Sequence, residues 1–168
     1  MISQQKLLNT SLSRFLFILL LTSFQSSIQS VQAADDMEAI RQQFLGDYEL
    51  ISYVTFPEQG GEIDMDFIGR LSYDAFGNMS GLGMPRSLPE RQEQSGERLM
   101  EGFAYWGKVS FNLELQQVIH HVEGSPMVPN WVGGDNIRYF EFAGDILKLS
   151  LKNAQGRVTG TLTWQRLK

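Results

Sequence analysis

Val158-Thr159-Gly160-Thr161-Leu162-Thr163-Trp164-Gln165 is the stretch on which the fold turns. Val158, Gly160, Leu162 and Trp164 alternate with Thr159, Thr161, Thr163 and Gln165, so one side is apolar and the other is hydroxylated. That period of two belongs to a strand with one face on a core and the other in water. The upstream segments repeat the theme: short runs rich in aromatic and β-branched residues, punctuated by turn residues. Strands are expected over Tyr48–Phe56, Phe67–Tyr73, Met79–Met84, Ala104–Leu113, Gln117–Glu123, Asn136–Phe142, Ile146–Leu151 and Val158–Leu167. Asp74-Ala75-Phe76-Gly77-Asn78, Ala143-Gly144-Asp145 and Asn153-Ala154-Gln155-Gly156 supply tight connections between them. No helical pattern separates successive strands in the second half, which favours an antiparallel meander, closed as a barrel or packed as a sandwich, over an α/β fold.

Two segments stand apart. Asp35–Phe44 carries Met37, Ile40 and Phe44 at helical spacing and reads as a short N-terminal helix ended by Gly46. Pro85–Glu101 is charged and poor in strand formers. It predicts a loop running into a short helix from about Pro89, either a solvated connector or a lid over a cavity mouth.

The first residues predict export. Lys6 and Arg14 make a basic start, Phe15–Leu21 an apolar run too short for a membrane span, and Val31-Gln32-Ala33 a small-residue cleavage site. Residues 1–33 are therefore expected to be a signal peptide, and residues 34–168 one domain, periplasmic or secreted. No cysteine occurs in the 168 residues, so the reading includes neither disulfides nor a lipid-modified cysteine. Stability must come from burial, and 11 Phe, five Tyr and three Trp supply the material. The net charge is −5, and losing Lys6 and Arg14 with the leader makes the remainder more acidic. An acidic chain is a poor partner for nucleic acid or anionic lipid.

Four segments together resemble the lipocalin-like domains of the calycin group. Leu45-Gly46-Asp47-Tyr48-Glu49-Leu50-Ile51-Ser52-Tyr53 looks like the opening strand, and Gly69-Arg70-Leu71-Ser72-Tyr73-Asp74 with Gly77 and Met79-Ser80 like the second hairpin. His120-His121-Val122-Glu123-Gly124-Ser125, Pro129-Asn130-Trp131-Val132-Gly133 and Arg138-Tyr139-Phe140 form the most specific segment. Arg157-Val158-Thr159 through Leu162-Thr163-Trp164-Gln165-Arg166 resembles the closing strand. The resemblance implies an all-β, small closed antiparallel lipocalin-like β-barrel whose first and last strands lie side by side. Where such barrels usually open with Gly-x-Trp, this chain has Gly46-Asp47-Tyr48. Arg166 over the Tyr48 ring is the expected closure, a cation–π contact of roughly 0.5–2 kcal/mol.

The expected function is binding of a small hydrophobic or amphipathic molecule in the barrel. The alternatives are an isomerase, cyclase or hydrolase using a His/Glu acid–base pair inside it, or a filled structural barrel with a protein partner. His120 and His121 are the only histidines. As strand neighbours they point to opposite faces, so they cannot share a metal site. His121 and Glu123 share a face and make two ligands, short of a zinc set, so neither metal nor cofactor is expected. One buried and one exposed histidine is the plain reading; proton transfer by His120 or His121 with Glu123 is the sharper one. Tyr73, Tyr105, His121, Trp131, Arg138 and Tyr139 are the candidate ligand-binding residues. The tyrosines offer apolar area with one hydroxyl each. Trp131 either walls the cavity or caps the barrel end. Arg138, if inward, needs Glu123, Glu141 or a ligand carboxylate opposite it. Both faces of its strand carry apolar residues, so the alternation does not decide which way it points.

Overall fold

A computed structural model describes residues 32–87 and 101–168. The leader up to residue 31 and the helix expected near Pro89 lie outside the described residues. The chain divides into two units, the second beginning at Phe44. In the first, residues 32–43 are helical, with Gln32 donating to Asp36 and Gln42 to Glu38 one turn away.

The second unit is the barrel. Its strands are β1 (Gly46–Thr55), β2 (Ile63–Asp64), β3 (Phe67–Tyr73), β4 (Asn78–Pro85), β5 (Phe103–Asn112), β6 (Gln117–Gly124), β7 (Asp135–Ala143), β8 (Ile146–Lys152) and β9 (Val158–Arg166). Apart from β2, a two-residue strand lying along β1, each pairs antiparallel with its neighbours, and β9 pairs back onto β1. The result is a closed eight-stranded antiparallel barrel without a free long edge. The expected strands appear with ends shifted by a residue or two. The additions among the described residues are β2 and a 3-10 turn, η1 (Pro129–Trp131), both in segments between the expected strands.

The alternation in β9 has the predicted sense. Gly160, Leu162 and Trp164 are buried, whereas Thr161 and Ser150 hydrogen-bond to each other on the outside at 3.0 Å. Closure also takes the expected form. Tyr48 pairs with Arg166 in register, and the guanidinium carbon stands 4.7 Å from the Tyr48 ring centroid. Arg166 also donates to the Leu45 carbonyl. Burial pushes the Tyr48 phenol up to about 12, with Arg166 pulling it down and Asp145 adding to the rise.

One irregularity in β1 matters for the lumen. Leu50 pairs with Trp164 and Ser52 with Thr163, so Ile51 is an extra residue. This bulge turns Ile51 outward, half exposed, and reverses the parity of the strand. Tyr48 and Leu50 face inward before it, and Tyr53 lines the lumen after it. Outside, the barrel carries Glu49, Arg70, Lys108, Glu141 and Lys148, with Arg70 paired to Glu49 at 2.9 Å. That charged exterior is the inverse of the apolar band on a lipid-embedded barrel. Among the described residues no helix is long and apolar enough to cross a membrane.

Candidate ligand-binding site

The two ends of the barrel are filled differently. At one end Phe44 enters the lumen, 1% exposed, and meets Tyr73, Phe140 and Phe142 edge-to-face at 5.0–5.2 Å, with Phe111 tilted at 4.8 Å. Such pairs prefer this perpendicular geometry. Toward the other end lies a cavity of about 110 Å³, lined by Tyr53, Leu71, Gly81, Phe103, Tyr105, Trp131, Arg138, Leu149, Leu151, Leu162 and Trp164. Gly81 helps keep it open: a Cβ there would lie 3.4 Å from Leu71 and 3.6 Å from Tyr105, in space the cavity now occupies. Trp131, carried by η1, stands at this end with its ring perpendicular to Tyr105 at 5.5 Å. It is thus a wall of the cavity as well as part of the barrel's end.

A polar chain crosses the lumen between the plug and the cavity. His120 is fully buried and bonded at both nitrogens, Nε2 to the Tyr73 hydroxyl and Nδ1 to the Tyr105 hydroxyl, each at 2.8 Å. The Arg138 guanidinium faces Tyr105 closely enough to pull its phenol down. Burial holds His120 well below the usual histidine range, with help from Arg138 and His121. Burial also lifts the phenol of Tyr73, reinforced by Tyr105 and Tyr48, and that of Tyr105, where Arg138 opposes the rise. The whole chain is neutral near pH 7 except for Arg138.

The register decides the remaining candidates. Val118 pairs with Arg138 and His120 with Asn136, and cross-strand partners share a face, so Arg138 points inward with buried Val118. His121, Glu123 and Tyr139 have the opposite parity and lie outside. The expected His121–Glu123 acid–base pair is therefore not assembled in the barrel, and neither His121 nor Tyr139 lines it. His121 is instead held between Ser110 (Nε2, 2.8 Å) and Asp135 (Nδ1, 2.7 Å). The order is that of a serine hydrolase triad. It stands on the open outer sheet, however, with the His121 and Asp135 side chains 42% and 54% exposed. There it clasps β5, β6 and β7 together. Tyr139 lies under Lys152, whose Nζ is 3.7 Å from the ring centroid. Glu123 borders an outer groove with Asp74, Asn78 and Trp106. Of the ligand-binding candidates, the cavity brings together Tyr105, Trp131 and Arg138. Tyr73 joins them only through His120. Tyr53 and Trp164 line it without having been singled out: Trp164 was legible from its alternation, whereas Tyr53 depends on the Ile51 bulge.

The family model for the lipocalin-like domain matches residues 45–167, from the turn before β1 to the end of β9. The chain belongs to the lipocalin-like domain family. Among solved structures, this lipocalin-like protein is similar to an uncharacterized protein from Bacteroides eggerthii at 12% identity and a TM-score of 0.42, over 74% of this chain and 99% of that one. No curated protein matches it.

Proposed function

We propose that this lipocalin-like protein is exported and carries a small hydrophobic or amphipathic molecule in the open end of its barrel. The observation that carries the reading is the contrast within one lumen: aromatic packing around Phe44 at one end, and a cavity of about 110 Å³ with mostly apolar walls at the other. An engineered apolar cavity of roughly 150 Å³ admits benzene. This cavity suits a short chain or a single ring, with the rest of a longer ligand reaching past Trp131. Apolar surface removed from water would supply roughly 25 cal/mol per Å², less the cost of ordering the ligand. Export is supported by the basic, apolar and small-residue order of residues 1–33.

Trp131 and Trp164 both line the cavity, so occupancy is readable in intrinsic fluorescence. Titration with hexanoate, octanoate, decanoate, phenylpropionate and their uncharged amides is expected to give a saturable change with at least one of them. The same compound is expected to raise the unfolding temperature, because it binds the folded state alone. Gly81→Val, which places three carbons in the cavity, is expected to abolish both responses. No response from the wild type to any member of the panel, or an undiminished response in Gly81→Val, would contradict the reading.

A further inference from the structure

We propose that the molecule carried is an organic acid whose carboxylate is received by Arg138. The inference rests on the carrier reading and adds the chemical class of the ligand. Arg138 projects from β7 into the lumen and lines the cavity, where it is half-buried and part of its hydration is replaced by apolar walls. The two carboxylates nearest in sequence pattern, Glu123 and Glu141, have the outward parity. None of the four ion pairs among the described residues involves Arg138. Its side-chain hydrogen bond goes to the Ile137 carbonyl at 2.9 Å, which leaves donors of its five N–H groups uncommitted.

The lining of the cavity makes the second, independent observation: among the described residues it includes no Asp or Glu, so the positive charge of Arg138 faces the lumen without a carboxylate of the protein beside it. A carboxylate brings the matching surplus, two oxygens that only accept and one negative charge. A neutral ligand with a carbonyl would satisfy a donor and leave the charge of Arg138 unmatched. The protein as a whole is acidic, at −5, so its general field does not draw anions in; the selectivity has to be local.

The test compares octanoate with octanamide, which differ in charge and little in shape, by calorimetry on the full chain. The wild type is expected to bind octanoate roughly 10- to 100-fold more tightly than octanamide, the range of a charge-assisted hydrogen bond. Arg138→Gln is expected to lose that preference while keeping octanamide affinity within about threefold of the wild type, and Arg138→Lys to recover part of it. Equal affinity for acid and amide in the wild type overturns the inference and leaves the carrier standing, and that comparison needs no variant to fold. A preference that survives in folded Arg138→Gln also overturns it. If neither compound binds, the comparison is made on whichever acid of the panel does, against its amide; if no member of the panel binds, the carrier reading falls and this inference falls with it.

Discussion

The two ends of this barrel are built on the same strands and do opposite things with them. Around Phe44 the inward positions are Tyr48, Tyr73, Phe111, Phe140 and Phe142, large rings that meet across the axis. Toward Trp131 the lumen is bordered by Leu71, Gly81 and Leu149 from β3, β4 and β8, and the walls no longer meet. Between the two lies the polar crossing Tyr105–His120–Tyr73, with Arg138 beside Tyr105. The difference shows that a barrel lumen is partitioned by which inward side chains reach across the axis at each end. It also shows that a buried polar chain can mark the boundary when every member but its terminal cation is neutral.

The comparison can be broken at each of its parts, and the effects on stability are expected to fall in order. Phe44→Ala removes the plug at the packed end and should cost roughly 3–5 kcal/mol, the usual range for a buried phenylalanine. Urea unfolding measures it, and ligand affinity at the far end should stay within about twofold where the variant remains folded.

The polar crossing comes next. His120→Leu strands the hydroxyls of Tyr73 and Tyr105, at about 1–3 kcal/mol for each unsatisfied group. The same histidine gives the fold a pH dependence whose sign follows from its depressed basicity. Its folded-state value lies below the ordinary 6.5, so as pH falls below about 6.5 the unfolded chain takes up the proton first. Its stabilising contribution is complete above that point and is lost as pH falls toward the folded-state value. The urea midpoint of the wild type should therefore drop over that window, and the drop should be smaller in His120→Gln. A wild-type midpoint that rises on acidification through the window would contradict the neutral, buried His120.

Closure of the barrel is a smaller matter. Arg166→Met removes the cation from the Tyr48 ring and should cost roughly 0.5–2 kcal/mol in the same assay. The smallest effect on stability should come from Gly81→Val, within about 1 kcal/mol. Its strand backbone suits a β-branched residue, and a Cβ there makes only ordinary contacts, 3.4 Å or longer. Yet this change makes the open end resemble the packed one, so binding should vanish while the fold persists. A Gly81→Val protein that unfolds several kcal/mol more easily would show that the open end is not spare space.

Most of the architecture was legible because it rests on period and punctuation. The β9 alternation and the turn residues around Gly77 are local patterns that tertiary packing had no reason to overrule, whereas the pairing of Tyr48 with Arg166 was implied by the resemblance to lipocalin-like barrels. The site was less legible because facing is all-or-none along a strand. In β7 both parities carry aromatic residues, so Arg138 and Tyr139 could be told apart only by pairing Val118 with Arg138. The same register sends His121 outward to Ser110 and Asp135 and keeps His120 inside. The Ile51 bulge, which brings Tyr53 into the lumen, leaves no mark in residue type. Phe44 reads as one apolar position of a helix, and nothing in its spacing says that it will fill a barrel.

The central claim is that the lumen beyond His120 holds a small molecule, and native mass spectrometry of the protein taken from its own host tests it most directly. The expected spectrum shows the polypeptide with a single additional small mass, lost on denaturation and identified afterwards as an acid with an apolar body. A bare polypeptide mass under gentle conditions, together with no fluorescence response from Trp131 and Trp164 to any added acid or amide, would contradict it.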